Sequence, residues 1–131
     1  MEEQQIRELV QAYFDRLNGE DWQGLASLFA TDAVLRAPGS RTWEGRDEVS
    51  AYYRAALAPY PEHRDEPTRV LVAGDTATVE IHFEGRLANG QPLAFDAVDV
   101  FDFADGHVVE LSSWYDSHAV RKQLAQAQAA S

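Results

Sequence analysis

The sequence has 131 residues, of which 45% are hydrophobic and 25% charged, proportions typical of a globular domain rather than a disordered chain. It contains no cysteine, which excludes disulfides, thiolate nucleophiles and cysteine-based metal sites. The 22 acidic residues exceed the 11 Lys and Arg, for a net charge of −11, which argues against binding to nucleic acids or anionic membranes.

The length and the N-terminus favour a single domain in the cytoplasm. No composition shift marks a linker, so we expect one domain over residues 1–131. No apolar run approaches the roughly 18 residues of a membrane-spanning helix. The first residues, Met1 to Gln5, do not resemble a signal peptide, so a cytoplasmic location is expected.

The first half of the sequence has helical spacing. A first helix is predicted because apolar residues recur every three or four positions: Ile6, Leu9, Val10, Tyr13, Phe14 and Leu17. A short second helix follows Asp21, which can cap it. A strand is predicted over 33–37, ended by Pro38, and a third helix over 49–57, ended by Pro59.

The second half changes to a period of two. Strands are predicted over 69–73, 77–84, 93–103 and 108–115. Asn89-Gly90 and Asp105-Gly106 mark hairpin turns, since the residues of such turns need positive φ. Residues 120–131 are expected to form a frayed helical tail. Helices followed by a meander of strands predict an α+β fold, with a long curved sheet over the helices and a cavity between them.

Asp99 is the most informative residue. Its predicted strand has an otherwise apolar odd face, formed by Leu93, Phe95, Ala97, Phe101 and Phe103. Burial disfavours the charged form of a carboxyl group, so the pKa of Asp99 is expected to be raised. It is either a catalytic acid and hydrogen-bond donor or a structural carboxylate bonded to a nearby hydroxyl. Asp96 and Asp102 lie on the opposite face.

Three tyrosines are also predicted to point inward. Tyr13 and Tyr53 lie on the buried stripes of the first and third helices, and Tyr115 lies near the end of the last strand. A buried phenol usually finds a hydrogen-bond partner. From the pattern alone, core packing is the simpler interpretation of all three.

His82 is the one histidine that we consider as a base. It lies on the polar side of its strand, which favours a surface position, but a one-residue register slip, for example at a bulge at Gly85, would turn it inward. The other histidines show no ligand spacing, so no metal is expected. On the outer face of the last strands, Ala94, Val98, Val100 and Trp114 form an apolar patch, which suggests a homodimer.

The order of these elements resembles that of the nuclear transport factor 2-like, or SnoaL-like, superfamily, and most of all the ketosteroid isomerases. The resemblance extends from about Ile6 to Val120 and is strongest over 89–100, 106–115 and Glu44-Gly45-Arg46. It implies a cone-shaped, curved antiparallel sheet wrapped over three N-terminal helices, the cystatin-like α+β roll.

The resemblance also implies roles for single residues. In those isomerases a tyrosine and a protonated aspartic acid donate hydrogen bonds to a dienolate oxygen. Similarity places the tyrosine at Tyr13, the acid at Asp99 and a supporting tyrosine at Tyr53. We expect the substrate to contact six further residues: Phe29, Ala37, Phe83, Leu111, Ser113 and Tyr115.

One position departs from the isomerase pattern. Those enzymes carry their proton-shuttling aspartate directly before a proline at the end of the first strand, where this sequence has Ala37-Pro38. The oxyanion-binding donors are therefore expected to be present and the usual base absent. Loss of a general base typically costs 10²–10⁴-fold in rate.

We expect an enzyme, without a cofactor, that binds a hydrophobic carbonyl or enol ligand and catalyses isomerisation, cyclisation or elimination by proton transfer. The base would be water, the substrate or an unassigned residue, with His82 as the first candidate. The alternative is a non-catalytic ligand-binding or accessory protein of the same fold. An epoxide hydrolase-type enzyme ranks last, because the sequence indicates no second inward carboxylate.

Overall fold

Helices and strands fill almost the whole computed structural model, which describes residues 1–130. The helices are α1 (Glu3–Asn18), α2 (Trp22–Ser27), α3 (Arg46–Leu57) and α4 (Ser117–Ala129). The strands are β1 (Phe29–Ala37), β2 (Arg41–Glu44), β3 (Glu62–Ala73), β4 (Thr76–Arg86), β5 (Pro92–Ala104) and β6 (His107–Trp114). This mixed α+β architecture confirms the predicted fold class.

The N-terminal helices form where the sequence predicts them. α1 buries the predicted apolar stripe, and its last residue, Asn18, precedes Gly19, whose N–H donates to the carbonyl of Asp15. Asp21 caps α2 by accepting a hydrogen bond from the Gly24 N–H at 3.0 Å. None of the helices within residues 1–130 is long and apolar enough to cross a bilayer.

The sheet is mixed rather than wholly antiparallel. Its strand order is β2-β1-β6-β5-β4-β3, and the β1–β6 pair is parallel whereas the other pairs are antiparallel. The parallel pair arises because β2, α3 and the three strands β3 to β5 come between β1 and β6 in the chain before β6 returns beside β1. The expectation of a purely antiparallel sheet is wrong at this one pair.

Two stretches of strand were not predicted. The four-residue strand β2 lies at one edge, and β3, at the other edge, begins at Glu62 instead of Arg69. Residues 62–68 are polar or proline on both faces, so they give no hydrophobic alternation. Pro67 is tolerated because β3 is an edge strand, and the register shifts between Pro67 and Arg69.

The C-terminal segment packs against the sheet as helix α4. Asp116 caps it by accepting a hydrogen bond from the Ala119 N–H at 2.9 Å. The Gln123 side chain bonds both the N–H and the C=O of Ala94 at 3.0 Å, which attaches the helix to β5. Residues 120–129 of the segment predicted as a frayed tail therefore belong to the fold, and two of them, Val120 and Leu124, line the cavity. Ser131, the last residue of that segment, lies outside the described residues.

Candidate active site

A cavity of about 210 Å³ lies between helices α1, α3 and α4 and the inner face of β3 to β6. Its wall is largely aromatic and includes Tyr13, Tyr52, Tyr53, Tyr60, Phe83, Phe95 and Tyr115. Three other polar side chains line it, Asp65, Asp99 and Ser113. An apolar cavity with a few converging polar groups is the usual form of a small-molecule site.

Tyr13 and Tyr53 are joined inside this cavity. Their hydroxyl oxygens lie 2.7 Å apart, and the two rings meet edge to face with centroids 5.9 Å apart. Burial raises the pKa of both phenols, so both stay protonated at neutral pH. Two hydroxyls that share one hydrogen bond leave one O–H free, and that proton can be donated to a ligand.

Asp99 is the only polar or charged residue among the buried residues of the described chain. It is 4% exposed and lies on β5 between Val79 of β4 and Ser113 of β6. Its Oδ1 has no hydrogen-bond partner among residues 1–130. Burial raises the pKa of Asp99 to about 7, partly offset by Ser113 and reinforced by the nearby carboxylate of Asp65. The direction of this shift is the one expected from the sequence, and the role of Asp99 as a neutral acid stays a prediction.

Asp65 is a second inward carboxyl group that sequence reasoning missed. It lies on β3, opposite Phe83 of β4, and lines the same cavity as Asp99. Burial raises its pKa to about 6, and His63 partly opposes this shift. The statement that the sequence holds one inward carboxylate is therefore wrong. The error follows from the unpredicted start of β3, because Asp65 falls in the segment without hydrophobic alternation.

The Asn18 side chain fixes the backbone of Asp65. The amide nitrogen of Asn18 donates to the Asp65 carbonyl at 2.9 Å, and the Asp65 N–H donates to the Asn18 Oδ1 at 2.7 Å. The Asn18 side chain, at the end of α1, thereby pairs both the N–H and the C=O of Asp65, which an edge strand leaves without a partner in the sheet. The carboxyl group itself takes part in none of the hydrogen bonds found within residues 1–130.

One end of the cavity is bounded by Tyr52 and Tyr115. Tyr115 packs on Phe95, with ring centroids 5.3 Å apart, and its hydroxyl accepts a long hydrogen bond of 3.5 Å from Arg41. Tyr52 packs on Trp43 with centroids 4.1 Å apart, and burial raises its pKa. Both tyrosines also border an open groove with Arg41, Trp43 and Glu48. A ligand can enter from this side.

Gly85 allows the opposite wall of the cavity to close. A Cβ atom at this position would lie 2.7 Å from Cδ1 of Tyr60, so only glycine lets that ring pack here. Tyr60 in turn packs edge to face on Phe83, with centroids 5.2 Å apart. Gly85 pairs with Leu93 in an unbroken register, so the predicted bulge is absent from β4 within the described chain.

Comparison with known proteins identifies the family. Residues 10–111 match the family model described as the SnoaL-like domain. The chain belongs to the SnoaL-like family. The resemblance inferred from the sequence is thereby confirmed at the level of the superfamily.

Solved structures share the fold of this SnoaL-like domain. A protein with a ketosteroid isomerase-like fold from Catenulispora acidiphila, in complex with trimethylamine, is 23% identical, with a TM-score of 0.79 and coverage of 88% of this chain and 91% of that one. A candidate polyketide cyclase from Sinorhizobium meliloti is 28% identical, with a TM-score of 0.70 and coverage of 82% and 94%. An epoxide hydrolase from M. tuberculosis is 17% identical, with a TM-score of 0.80 and coverage of 97% and 94%. Since these neighbours differ in activity, the fold alone does not specify the reaction.

The SnoaL-like domain brings together six of the predicted site residues. Tyr13, Tyr53, Asp99, Phe83, Ser113 and Tyr115 all line the cavity. Phe29, Ala37 and Leu111 do not line it and instead lie in the packed interior, with 0%, 6% and 0% exposure. The Phe29 ring packs edge-on against Tyr13, with centroids 6.3 Å apart, so it can support the site only through that tyrosine.

His82 lies on the outer face of the SnoaL-like domain. Its Nδ1 is 2.8 Å from an oxygen of Asp96 and its Nε2 is 3.1 Å from one of Glu84. β4 keeps one register along β5, so no slip turns the imidazole inward. His82 cannot reach the cavity, and the hypothesis that it replaces the missing base is wrong.

Proposed function

We propose that this SnoaL-like domain is an enzyme that transfers a proton next to the carbonyl group of a hydrophobic small molecule. The reaction class is isomerisation, cyclisation or elimination through an enolate-like state. The observation that carries the proposal is the Oδ1 of Asp99, which is buried and without a partner in residues 1–130, in a cavity that also holds the Tyr13–Tyr53 pair. Native proteins rarely leave such an atom unsatisfied without a function for it.

Tyr13 and Asp99 would bind the carbonyl oxygen of the ligand. As a proton leaves the adjacent carbon, negative charge grows on this oxygen, and O–H donors fixed in a site of low dielectric constant stabilise it. Asp99 can donate only when protonated, which its raised pKa of about 7 supports near neutral pH. In the structure the Tyr13 O–H donates to the Tyr53 oxygen at 2.7 Å. Rotation of both hydroxyls would reverse this bond, so that Tyr53 donates to the Tyr13 oxygen and the Tyr13 proton is free for the ligand.

The cavity favours a compact ligand. Its volume of about 210 Å³ is below the roughly 300–1,000 Å³ of common ligand sites. The aromatic wall suits an unsaturated ring of one or two cycles, and a longer ligand would extend past Tyr52 and Tyr115 into the open groove.

A second candidate reaction is the opening of an epoxide by water. Asp65 specifically favours it, because this reaction needs one carboxylate to activate water and one carboxylic acid to protonate the epoxide oxygen. Asp65 and Asp99 supply two carboxyl groups in one cavity. The third hypothesis is a non-catalytic binding protein. It rests on Ala37, which stands where the related isomerases carry their base.

Ligand binding tests the proposed oxyanion site directly. A phenol resembles an enolate, so it should bind at least tenfold more tightly than the toluene of the same shape, which has a methyl group in place of the hydroxyl. This preference for the phenol should be lost in Asp99→Ala. Conversion of a small β,γ-unsaturated cyclic ketone to its conjugated isomer, followed by absorbance, separates an enzyme from a binding protein. Equal affinity for the phenol and the toluene would refute the oxyanion site.

We also propose that the domain forms a homodimer through the outer face of its sheet. Trp114 is 57% and Leu71 52% exposed there, beside the half-buried Val98 and Val100. Exposed apolar patches of this kind commonly mark protein interfaces. Sedimentation should give twice the chain mass, and Val100→Lys should produce monomers, whereas Gln11→Lys, on the exposed side of α1, should not. A wild-type monomer at tens of micromolar would contradict the proposal.

A further inference from the structure

We propose that Asp65 is the base that moves the proton in this cavity. The inference rests on the proposed oxyanion site and names the group that the site lacks. Asp65 is placed to meet a bound ligand because it lines the same cavity as Tyr13 and Asp99.

The contacts of Asp65 indicate a functional rather than a structural carboxylate. Its backbone is held at both polar atoms by Asn18, at 2.7 and 2.9 Å, whereas its carboxyl group forms no ion pair or hydrogen bond found within residues 1–130. Asp65 is half-buried, which costs free energy for its charged form, and only the nearby His63 partly offsets this cost. A rigid backbone with an unengaged acid is the arrangement expected for a group that acts on a ligand.

The positions of the two carboxyl groups leave room for a substrate between them. Asp65 lies on β3 and Asp99 on β5, with β4 in between. Through Phe83 of β4, Asp65 is level with Phe95 of β5, and Asp99 lies four residues further along that strand. In a flat sheet, two strand spacings of roughly 4.8 Å and four residues at roughly 3.3 Å each would place the two Cα atoms about 16 Å apart, and both side chains nevertheless line one cavity. The two groups share no hydrogen bond, yet the charge of Asp65 raises the pKa of Asp99. Like charges in one cavity favour one ionised and one protonated carboxyl group.

Their surroundings assign the two roles. Asp65 is half-buried on the edge strand β3 near His63, whereas Asp99 is only 4% exposed on β5. Burial therefore disfavours the charged form of Asp99 more strongly, so Asp65 is the group that ionises first and can accept a proton, while Asp99 donates a hydrogen bond in its protonated form. Two acids pushed to different pKa values by their environments form an acid–base pair.

The proposed step balances within the ligand and the protein. The Asp65 carboxylate takes a proton from the carbon next to the carbonyl. The electron pair of that C–H bond forms the C=C bond of the enolate, and the π pair of the carbonyl group moves onto its oxygen, which Tyr13 and Asp99 hold. The protonated Asp65 then returns the proton, either to the same carbon or to the far end of the conjugated system. No other reactant is required. A base on β3 also explains why position 37 on β1 can be an alanine.

Hydrogen exchange provides the test. The protein is incubated with a small cyclic ketone in deuterated buffer, and loss of the α-proton signal is followed by NMR alongside the affinity for the phenol. We expect Asp65→Asn to slow exchange by 10²-fold or more while phenol binding stays within a factor of about three. Asp65→Glu should recover part of the rate. The backbone bonds to Asn18 are kept in both variants, so the fold should be kept too.

Each outcome separates this inference from the proposed function. Exchange that is unchanged in Asp65→Asn would overturn the role of Asp65 and leave the oxyanion site intact. Phenol binding without measurable exchange in the wild type would also overturn it. If the phenol binds no better than the matching toluene, the proposed oxyanion site is refuted. The role of Asp65, which depends on that site, is then refuted as well. Glu66→Gln, one residue along β3 on the exposed side, is the matched control and should change neither measurement.

Discussion

Two aspartates on β5, three residues apart, have opposite surroundings. Asp99 faces the cavity, is 4% exposed and has an Oδ1 without a partner among residues 1–130. The Asp96 side chain is 85% exposed and lies 2.8 Å from the imidazole of His82. Alternate residues of a strand point to opposite faces of the sheet. Whether a position on β5 is odd or even therefore decides whether its aspartate is buried or solvated.

The contrast extends across the whole sheet. The outer face carries ion pairs such as Arg36 with Glu110 and Arg69 with Glu80, as well as the cluster around His82. Exposed pairs of this kind contribute little to stability. On the inner face, Asp99 is buried and Asp65 half-buried, and neither carboxyl group forms an ion pair with Lys or Arg in the part of the chain that the structure describes. The inner carboxyl groups are therefore better explained by function than by folding.

The largest expected difference between the two faces is in catalysis. Asp99→Ala removes a donor to the developing oxyanion and should lower the rate of ketone isomerisation on the order of 10²–10³-fold. Asp96→Ala should leave the rate unchanged, because that side chain points away from the cavity. Steady-state kinetics of both variants measure this. If the rate fell equally in the two variants, the net negative charge on β5, rather than a contact in the cavity, would control the reaction.

The pH dependence of stability should differ in the same way. The pKa of Asp99 is raised from 3.8 to about 7 by folding, so the folded state holds the proton more tightly than the unfolded state does. This contribution to stability is complete below about pH 4 and is lost as the pH rises towards 7. A shift of this size corresponds to about 4 kcal/mol.

Asp99→Asn should abolish the loss of stability that Asp99 causes as the pH rises. Urea unfolding between pH 4 and 8 should show the variant gaining stability relative to the wild type as the pH rises. Asp32→Asn, at an exposed carboxylate on β1, should follow the wild-type curve. The smaller decline due to Asp65 should remain in both variants, since burial raises its pKa to about 6. Parallel curves for wild type and Asp99→Asn would show that Asp99 is ionised in the folded protein.

The sequence predicts the inner face well wherever hydrophobic and polar residues alternate. The alternation in β4 and β5 places Asp99 inward and His82 outward, as observed, and the helical spacing in α1 places Tyr13 inward. These patterns are strong because one face of each element packs on the core. The hydrogen bond between Tyr13 and Tyr53 joins residues 40 positions apart, and only the resemblance to a known family suggested it.

The sequence does not predict the first part of β3, residues 62–68, or the inward position of Asp65, for a physical reason. An edge strand pairs on one side only, and in residues 62–68 both faces are polar or proline, so neither period two nor an apolar run indicates a strand. The distances that make Asp65 part of the site depend on the Asn18 side chain, at the far end of α1. Contacts between distant segments of this kind leave no local pattern.

The smallest expected effect concerns the support of the Tyr13 hydroxyl. Tyr53→Phe removes the partner at 2.7 Å but keeps the ring in the edge-to-face contact. The net value of such a hydrogen bond is about 0.5–1.5 kcal/mol, so the isomerisation rate should fall between about twofold and tenfold. Tyr60→Phe is the matched control: its ring lines the same cavity, its hydroxyl is absent from the hydrogen bonds found within residues 1–130, and the rate should not change. A loss above 10²-fold in Tyr53→Phe would show that Tyr53 itself contacts the substrate oxygen, and no loss would show that Tyr13 is held by packing against Phe14 and Phe101 alone.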